Sequence, residues 1–458
     1  MDTLKKILKY IAVPVLVLVL FMTGEIYLGR LVTPVTDADY FNMDVAAIEA
    51  AGQDVDLMFL GSSRIYRSFV PEEFEKNPAF DLCLVCGSSS QKMDASYYML
   101  KDMYSRVHPK TVVLGVQWNS FDTEGANSVK MENILKVYDR ISAAGKAGYI
   151  FRSVGTDVFP ELFYLYRYRS RFSNERIEEN NRDKEELRTH GYTPDTSQDY
   201  YYLSKGFNYS NVNVENGNMV IETKGVNRYE PEHFDSDLVK YLDRITAFCK
   251  EKGIRLILVS PPNAMMTLYY VENIQGAMDY FADYALRNGL TYHNLNLLKG
   301  RESLLKDEIY YDGWHFSGEG AYIISDLYAQ ILEKELAGED ISDMFYQDLE
   351  ALKQEVDRVV AVSAVAEVSD DEIHISIHSL HNDDDVPLYK LEISEDGGKS
   401  YECVYDWSED ELLKIKIPAK EAVMYKISAA LSEDDEYPAW QVYDIGSWLD
   451  PEKGEEIY

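Results

Sequence analysis

Two short stretches carry side chains whose types and spacing fit nucleophilic catalysis. The first is Gly61-Ser62-Ser63-Arg64, directly after the apolar run Leu57-Met58-Phe59-Leu60. Four apolar residues bounded by Asp56 and Gly61 predict a strand buried on both faces of a parallel sheet. Both serines then stand at the carboxyl end of that strand, where open α/β sheets bind their ligands. Taken alone, the stretch also reads as a Gly-Ser-Ser turn capping the next helix. The second stretch is Asp312-Gly313-Trp314-His315. A hydroxyl nucleophile needs a base, and an imidazole base needs an acceptor that fixes its tautomer. Asp312 and His315, with two residues between them, supply both from one loop.

The elements that must position these residues follow from hydrophobic periodicity. Apolar runs predict strands at Asp56 to Leu60, Phe80 to Cys86, Thr111 to Gln117, Ile254 to Ser260 and Thr291 to Leu295. Amphipathic stretches predict helices over Gln91 to Val107, Ser236 to Lys252, Ile274 to Asn288 and Gly318 to Leu336. Strands alternating with helices define an α/β fold with a doubly wound parallel sheet. Between the third and fourth strands lies a long polar insertion, residues 120–235, expected as a lid or substrate wall. It is rich in aromatics, as in Phe163-Tyr164-Leu165-Tyr166-Arg167-Tyr168-Arg169 and Tyr200-Tyr201-Tyr202. Those rings could stack on sugars or pack inward on a helix.

Ahead of the sheet, Lys5, Lys6 and Lys9 precede an uncharged apolar run from Tyr10 to Gly24. This reads as an uncleaved signal anchor over residues 1–30, with a cleaved signal peptide as the alternative. Lysines before the run place the N-terminus in the cytoplasm and the remainder outside the cell membrane. Residues 31–53 are expected as a tether with one short helix near Val45. After the α/β region (54–336), an acidic linker at 337–358 leads to alternating strands over 359–458. Their pattern, with the turn Asp396-Gly397-Gly398-Lys399, predicts a small β-sandwich similar to fibronectin type III-like modules.

Composition narrows the function. At 458 residues two or three domains are expected. The net charge of −34 argues against nucleic-acid binding, since phosphates would be repelled. The charge is uneven: residues 337–458 hold 32 acidic and 9 basic residues, a net of −23, leaving −11 for the rest. Four cysteines give no disulfide framework. Cys83 and Cys86 form a Cys-x-x-Cys inside a predicted strand, so their side chains point to opposite faces and favour buried thiols over a zinc or redox pair. No metal and no cofactor is expected.

Gly-Ser-Ser after the first strand, with Asp-x-x-His before the last helix, resembles the SGNH (GDSL-like) hydrolase superfamily over about Asp54 to Leu336. In that family the nucleophile follows Gly by two, which maps it onto Ser63, with His315 as base and Asp312 orienting the ring. The resemblance implies an oxyanion hole of the Ser63 N–H, the N–H of Gly87 after the second strand, and an asparagine after the third. Where the family has Gly-x-Asn-Asp, this chain reads Gly115-Val116-Gln117-Trp118-Asn119. Asn119 is the candidate donor and Gln117 its rival. Arg64 either braces the nucleophile turn or pairs at the surface.

The anchor, the external domain and the Gly-Ser-Ser-Arg block are most similar to the acyl-transfer branch: the D-alanyl-lipoteichoic acid transfer protein and the alginate O-acetylation proteins. That branch implies a membrane-bound O-acyltransferase partner and a cell-envelope polysaccharide or teichoic acid acceptor. The leading expectation is therefore an extracytoplasmic O-acyltransferase placing acetyl or D-alanyl groups through an acyl-serine. A surface carbohydrate esterase with the same triad is the runner-up. A non-catalytic polymer-binding assembly protein is the third reading.

Overall fold

Buried apolar strands build a parallel sheet. In the computed structural model the residues described are 2–122, 127–150, 159–213, 231–271, 274–300, 304, 309–369, 372–382, 384–416, 423–435 and 438–444. The strands of the α/β region are β1 (Leu57–Gly61), β2 (Cys83–Gly87), β3 (Thr111–Gly115), β4 (Tyr200–Ser204), β5 (Phe207–Ser210), β6 (Arg255–Ser260) and β7 (Thr291–Asn294). Five of them form one parallel sheet in the order β2-β1-β3-β6-β7, and β4 and β5 pair as a separate hairpin. The chain reverses direction across the sheet between β1 and β3. That switch point is where doubly wound sheets of this order place their ligands.

Every residue of β1, β2 and β3 is buried. Met58, Leu60, Leu84, Cys86, Val112 and Leu114 join one core; Leu57, Phe59, Cys83, Val85 and Val113 join the other. The helices are α1 (Asp2–Val32), α2 (Asp37–Ala51), α3 (Ser63–Tyr66), α4 (Pro71–Phe74), α5 (Met93–Val107), α6 (Asn127–Tyr138), α7 (Ala143–Tyr149), α8 (Tyr164–Arg167), α9 (Asn174–His190), α10 (Ser236–Lys252), α11 (Met265–Tyr270), α12 (Ile274–Asn288), α13 (Gly318–Leu336) and α14 (Leu349–Gln354). α2, α5, α10 and α12 cover the first face through Phe41, Met99, Leu242 and Phe281. α3, α4 and α13 cover the second through Ile65, Phe74 and Tyr328. Cys83 and Cys86 are free, buried and on opposite faces.

Some boundaries differ from the sequence reading for local reasons. The second strand starts at Cys83 rather than Phe80 because the Asp56 carboxylate accepts the N–H groups of Asp81 and Leu82, turning the chain there. The third ends at Gly115, ahead of a 3₁₀ turn over Trp118–Ser120. The helix expected near Val45 in the 31–53 stretch is α2, which runs for 15 residues. Thr36 and Asp39 form its capping box, Gly52 closes it in the left-handed conformation, and Phe41 and Val45 lie in the core.

The insertion does more than overhang the sheet. The Val85 N–H of edge strand β2 donates to Lys205 O at the hairpin turn (2.9 Å). The neighbouring Gly206 has φ +88°, and a Cβ there would lie 1.8 Å from Val85 O, so the approach requires glycine. The hairpin thus shields an otherwise open sheet edge. The aromatic run around Tyr164 packs on α1: the Tyr164 and Leu165 N–H groups donate to the buried Glu25 carboxylate, and Phe163 meets Phe21 edge-on.

α14 lies within the 337–358 stretch and buries Leu349 and Leu352 on the α/β core. Seven antiparallel strands follow: β8 (Ala361–Ser369), β9 (Glu372–Leu380), β10 (Leu388–Ser394), β11 (Glu402–Ser408), β12 (Leu412–Lys416), β13 (Met424–Ala430) and β14 (Ala439–Asp444). They form sheets β12-β9-β8 and β11-β10-β13-β14 around a third core of Ile373, Ile375, Leu391, Tyr425 and Ile427. This is the expected β-sandwich.

Candidate active site

The turn that carries the candidate nucleophile begins where β1 stops. Gly61 has φ +156°, and a Cβ on it would lie 2.6 Å from Ile65 Cγ1. Gly115 at the end of β3 faces the same side chain, with a Cβ at 2.5 Å. Ile65 therefore seats α3 in a slot between two glycines. Ser62 is the N-cap of α3, its hydroxyl accepting from the Arg64 N–H, and Ser63 is the first helical residue. The capping reading and the nucleophile reading thus fall on different serines.

Ser63 Oγ lies 2.8 Å from His315 Nε2. On the far side of the ring, His315 Nδ1 lies 2.8 Å from Asp312 Oδ2 and 3.0 Å from Oδ1. Asp312 Oδ1 also accepts the N–H groups of Trp314 and His315, each at 2.7 Å, so the Asp-x-x-His spacing is a closed turn. Burial acts to raise the Asp312 pKa, but the His315 ring and those two N–H groups outweigh it and hold the carboxyl below its usual value. Burial lowers the His315 pKa, Asp312 pulls it back up, and the charges of Arg67 and Arg64 push it down again; the net shift is downward. A neutral ring with Nδ1–H held by a carboxylate leaves Nε2 free to accept the serine proton.

The loop is fixed from outside. Gly313 O accepts from Thr267 Oγ1 (2.7 Å) and the Ala264 N–H (3.3 Å). Arg64 is buried and donates to Pro261 O (2.6 Å), Pro262 O (2.8 Å) and Asn263 Oδ1. Its burial and these bonds suit the bracing role. Arg64 ties the nucleophile turn to the same loop that pins Gly313.

Gly87 ends β2 beside Gly61 in register, and a Cβ there would lie 2.9 Å from Tyr66 Cβ. Asn119 lies in the 3₁₀ turn after β3, its carbonyl taking Lys92 Nζ at 2.6 Å. The two residues thus lie at and beyond the carboxyl ends of the strands flanking β1. Gln117 donates to Ser62 Oγ at 2.6 Å, next to the nucleophile. Sequence reasoning missed the loop at 261–264 and Arg67, whose guanidinium lies over the rings of Tyr200 (4.8 Å), Tyr311 (5.3 Å) and Tyr66 (5.9 Å). Proline pairs and lone arginines carry no motif, so no signal pointed to them.

Among the described residues no cluster of three or more His, Cys, Asp or Glu side chains could hold a metal ion. A cavity of roughly 40 Å³, lined by Arg64, Gln117, Trp118, Phe281 and Trp314 among others, lies beside the turn. A larger one of roughly 670 Å³ opens at Tyr66, Gly87 and Ser88 and extends to Arg140, Arg167 and Tyr168.

No protein-family model matches the chain, and no curated protein matches it. Solved structures similar to it include a GDSL-like lipase from Bacteroides thetaiotaomicron VPI-5482 (15% identity, TM-score 0.31, covering 64% of this chain and 98% of that one). A putative lipolytic protein of the G-D-S-L family from Desulfitobacterium hafniense DCB-2 matches at 8% identity and TM-score 0.30, over 61% of this chain and 99% of that one. A putative acylhydrolase from Bacteroides fragilis NCTC 9343 matches at 12% identity and TM-score 0.29, over 64% and 96%.

Proposed function

We propose that this protein is a membrane-anchored, extracytoplasmic serine O-acyltransferase of SGNH type. It places acetyl or D-alanyl groups on a cell-envelope polysaccharide or teichoic acid, with a membrane-bound O-acyltransferase supplying the acyl group. The observation that carries the enzymatic part is the relay Ser63 Oγ–His315 Nε2 (2.8 Å) and His315 Nδ1–Asp312 Oδ2 (2.8 Å) at the carboxyl end of β1.

In the first half-reaction, Ser63 Oγ attacks the acyl carbonyl while its proton passes to His315 Nε2. The tetrahedral oxyanion is held by the Ser63 and Gly87 N–H groups and the Asn119 side chain, and the imidazolium by Asp312. His315 then protonates the leaving oxygen, and the acyl group remains on Ser63. In the second half, an acceptor hydroxyl gives its proton to His315 and takes the acyl group, restoring Ser63. The small cavity beside the turn suits an acyl group of a few heavy atoms, and the larger one has room for a sugar unit. Gln117 supports the turn through Ser62.

A second reading, a carbohydrate esterase, has an observation in its favour: His315 and Asp312 are only partly covered, with side chains 20% and 33% exposed. Water could resolve the same acyl-enzyme. The test is a fluorophosphonate probe on the full chain, followed by gene deletion. Labelling is expected in the wild type and in Ser62→Ala, and absent in Ser63→Ala and His315→Ala. Deletion is expected to lower the O-acyl content of the envelope polymer. Loss of labelling in Ser62→Ala with retention in Ser63→Ala would overturn the nucleophile assignment. Higher ester content after deletion would select the esterase.

A further inference from the structure

Arg67 is held in an unusual way for a cation in a protein of net charge −34. It follows Ser63 by one helical turn, its N–H donating to Ser63 O at 3.1 Å. It is half-buried, and among the described residues no carboxylate lies within ion-pairing distance of it. Three ring faces surround the guanidinium instead: Tyr200 from the insertion, Tyr311 from the triad loop, and Tyr66 from α3. Tyr200 and Tyr311 also meet edge to face, with centroids 5.3 Å apart. Ring faces attract a cation without neutralising it. A carboxylate partner would hold the side chain equally well but would cancel its charge. The Tyr311 N–H donates to His315 O at 2.8 Å, so this group sits against the triad loop itself.

The neighbouring arginine shows the contrast. Arg64 spends its donors on the carbonyls of Pro261 and Pro262 and on Asn263, and so serves the fold. Among the described residues Arg67 makes no such side-chain hydrogen bond to oxygen. A planar guanidinium presents a fork of donors that matches phosphate and carboxylate oxygens.

We propose that Arg67, framed by Tyr66, Tyr200 and Tyr311, is a recognition site for an anionic group, phosphodiester or carboxylate, on the acceptor polymer. The proposal rests on the acyltransferase reading for its placement beside the nucleophile, but anion binding is measurable without turnover. In an acidic protein that repels polyanions at long range, a cation beside the proposed nucleophile with no carboxylate partner among the described residues registers the polymer repeat where transfer occurs.

The experiment uses the full-length chain in detergent with Ser63→Ala, so that nothing is consumed. Calorimetric titration at fixed ionic strength compares a glycerol-phosphate oligomer, an oligogalacturonate and a neutral maltooligosaccharide. At least one anionic oligomer is expected to bind about tenfold or more tighter than the neutral one, as for one charge-assisted contact. Which one binds distinguishes phosphate from carboxylate. Adding Arg67→Gln is expected to erase the difference, and Arg67→Lys to keep part of it. Melting temperatures of both double variants report folding, and Arg67→Lys carries the test if Arg67→Gln is unstable. Equal binding of neutral and anionic oligomers, no binding of any, or an anion preference that survives Arg67→Gln would overturn the proposal. Failure of the acyltransferase reading would appear separately, as O-acyl content that does not fall after gene deletion, or as absence of Ser63 labelling in the wild type.

Discussion

At the scale of single residues, the proposed chemistry depends on the protonation state of one ring. His315 must be neutral to take the Ser63 proton, and its pKa lies below the ordinary histidine value of about 6.5 because burial and two arginines outweigh Asp312. A lowered base pKa keeps the neutral form down to more acidic pH. The rate constant kcat/KM for a small acetyl ester should therefore rise with pH through an inflection below about 6.5 and stay level above it. In Asp312→Asn the carboxylate's upward pull is gone, so the inflection should move further down while kcat falls by on the order of 10⁴ through loss of the productive tautomer. A wild-type inflection above 7, read from the pH profile, would remove His315 from the role of base. Most of this site was legible in the sequence: Ser63, His315 and Asp312 are the residues that meet. The reason is local. A strand end and a four-residue turn carry their geometry in their own residues. Arg67 was not legible, because its surroundings come from residues 66, 200 and 311, which only the fold brings together.

At the scale of elements, the proposed nucleophile, Ser63, is aimed by how α3 seats on the sheet. Ile65 fills the slot between Gly61 and Gly115, and added Cβ atoms would lie 2.6 and 2.5 Å from its Cγ1. Gly115→Ala should therefore push Ile65 away and carry Ser63 with it. Overpacking of this kind costs about 1–3 kcal/mol of stability. A displacement near 1 Å at a reacting atom costs about 10²-fold in rate. The expected outcome is a soluble variant with a modestly lower Tm and a disproportionate loss of kcat, measured by thermal melting and ester hydrolysis. Wild-type kcat in Gly115→Ala would mean the slot does not set the Ser63 position. The four long amphipathic helices were readable because their apolar stripes repeat over several turns, and α10, α12 and α13 begin and end where the periodicity does. α2 was less visible. Its apolar face is carried by few residues, and its ends are set by the Thr36–Asp39 box and Gly52.

At the scale of the whole molecule, the issue is how the site is held relative to the membrane. A 31-residue helix is roughly 46 Å long, against a hydrocarbon core of about 30 Å. The segment Ala12–Val32 is long and apolar enough to cross a membrane. The distal part of α1 is also a structural partner of the insertion. Glu25 is buried and caps the N–H groups of α8, Asn180 Nδ2 donates to Leu31 O at 3.0 Å, and a Cβ on Gly29 would lie 2.9 Å from Tyr164 Cβ. A signal peptide removed after maturation would take those contacts with it and leave the N–H groups of α8 without their carboxylate. The helix is therefore expected to be retained. The mature protein should keep its N-terminal residues by intact mass, and protease added to intact protoplasts should digest the chain beyond Leu31 while Lys5, Lys6 and Lys9 stay protected inside. Removal of residues 1–30 by design should lower the Tm of the remainder relative to the full chain in detergent, since α8 and α9 lose their support. A mature N-terminus beyond Leu31, with an unchanged Tm after truncation, would mean that the helix only directs export and does not hold the site.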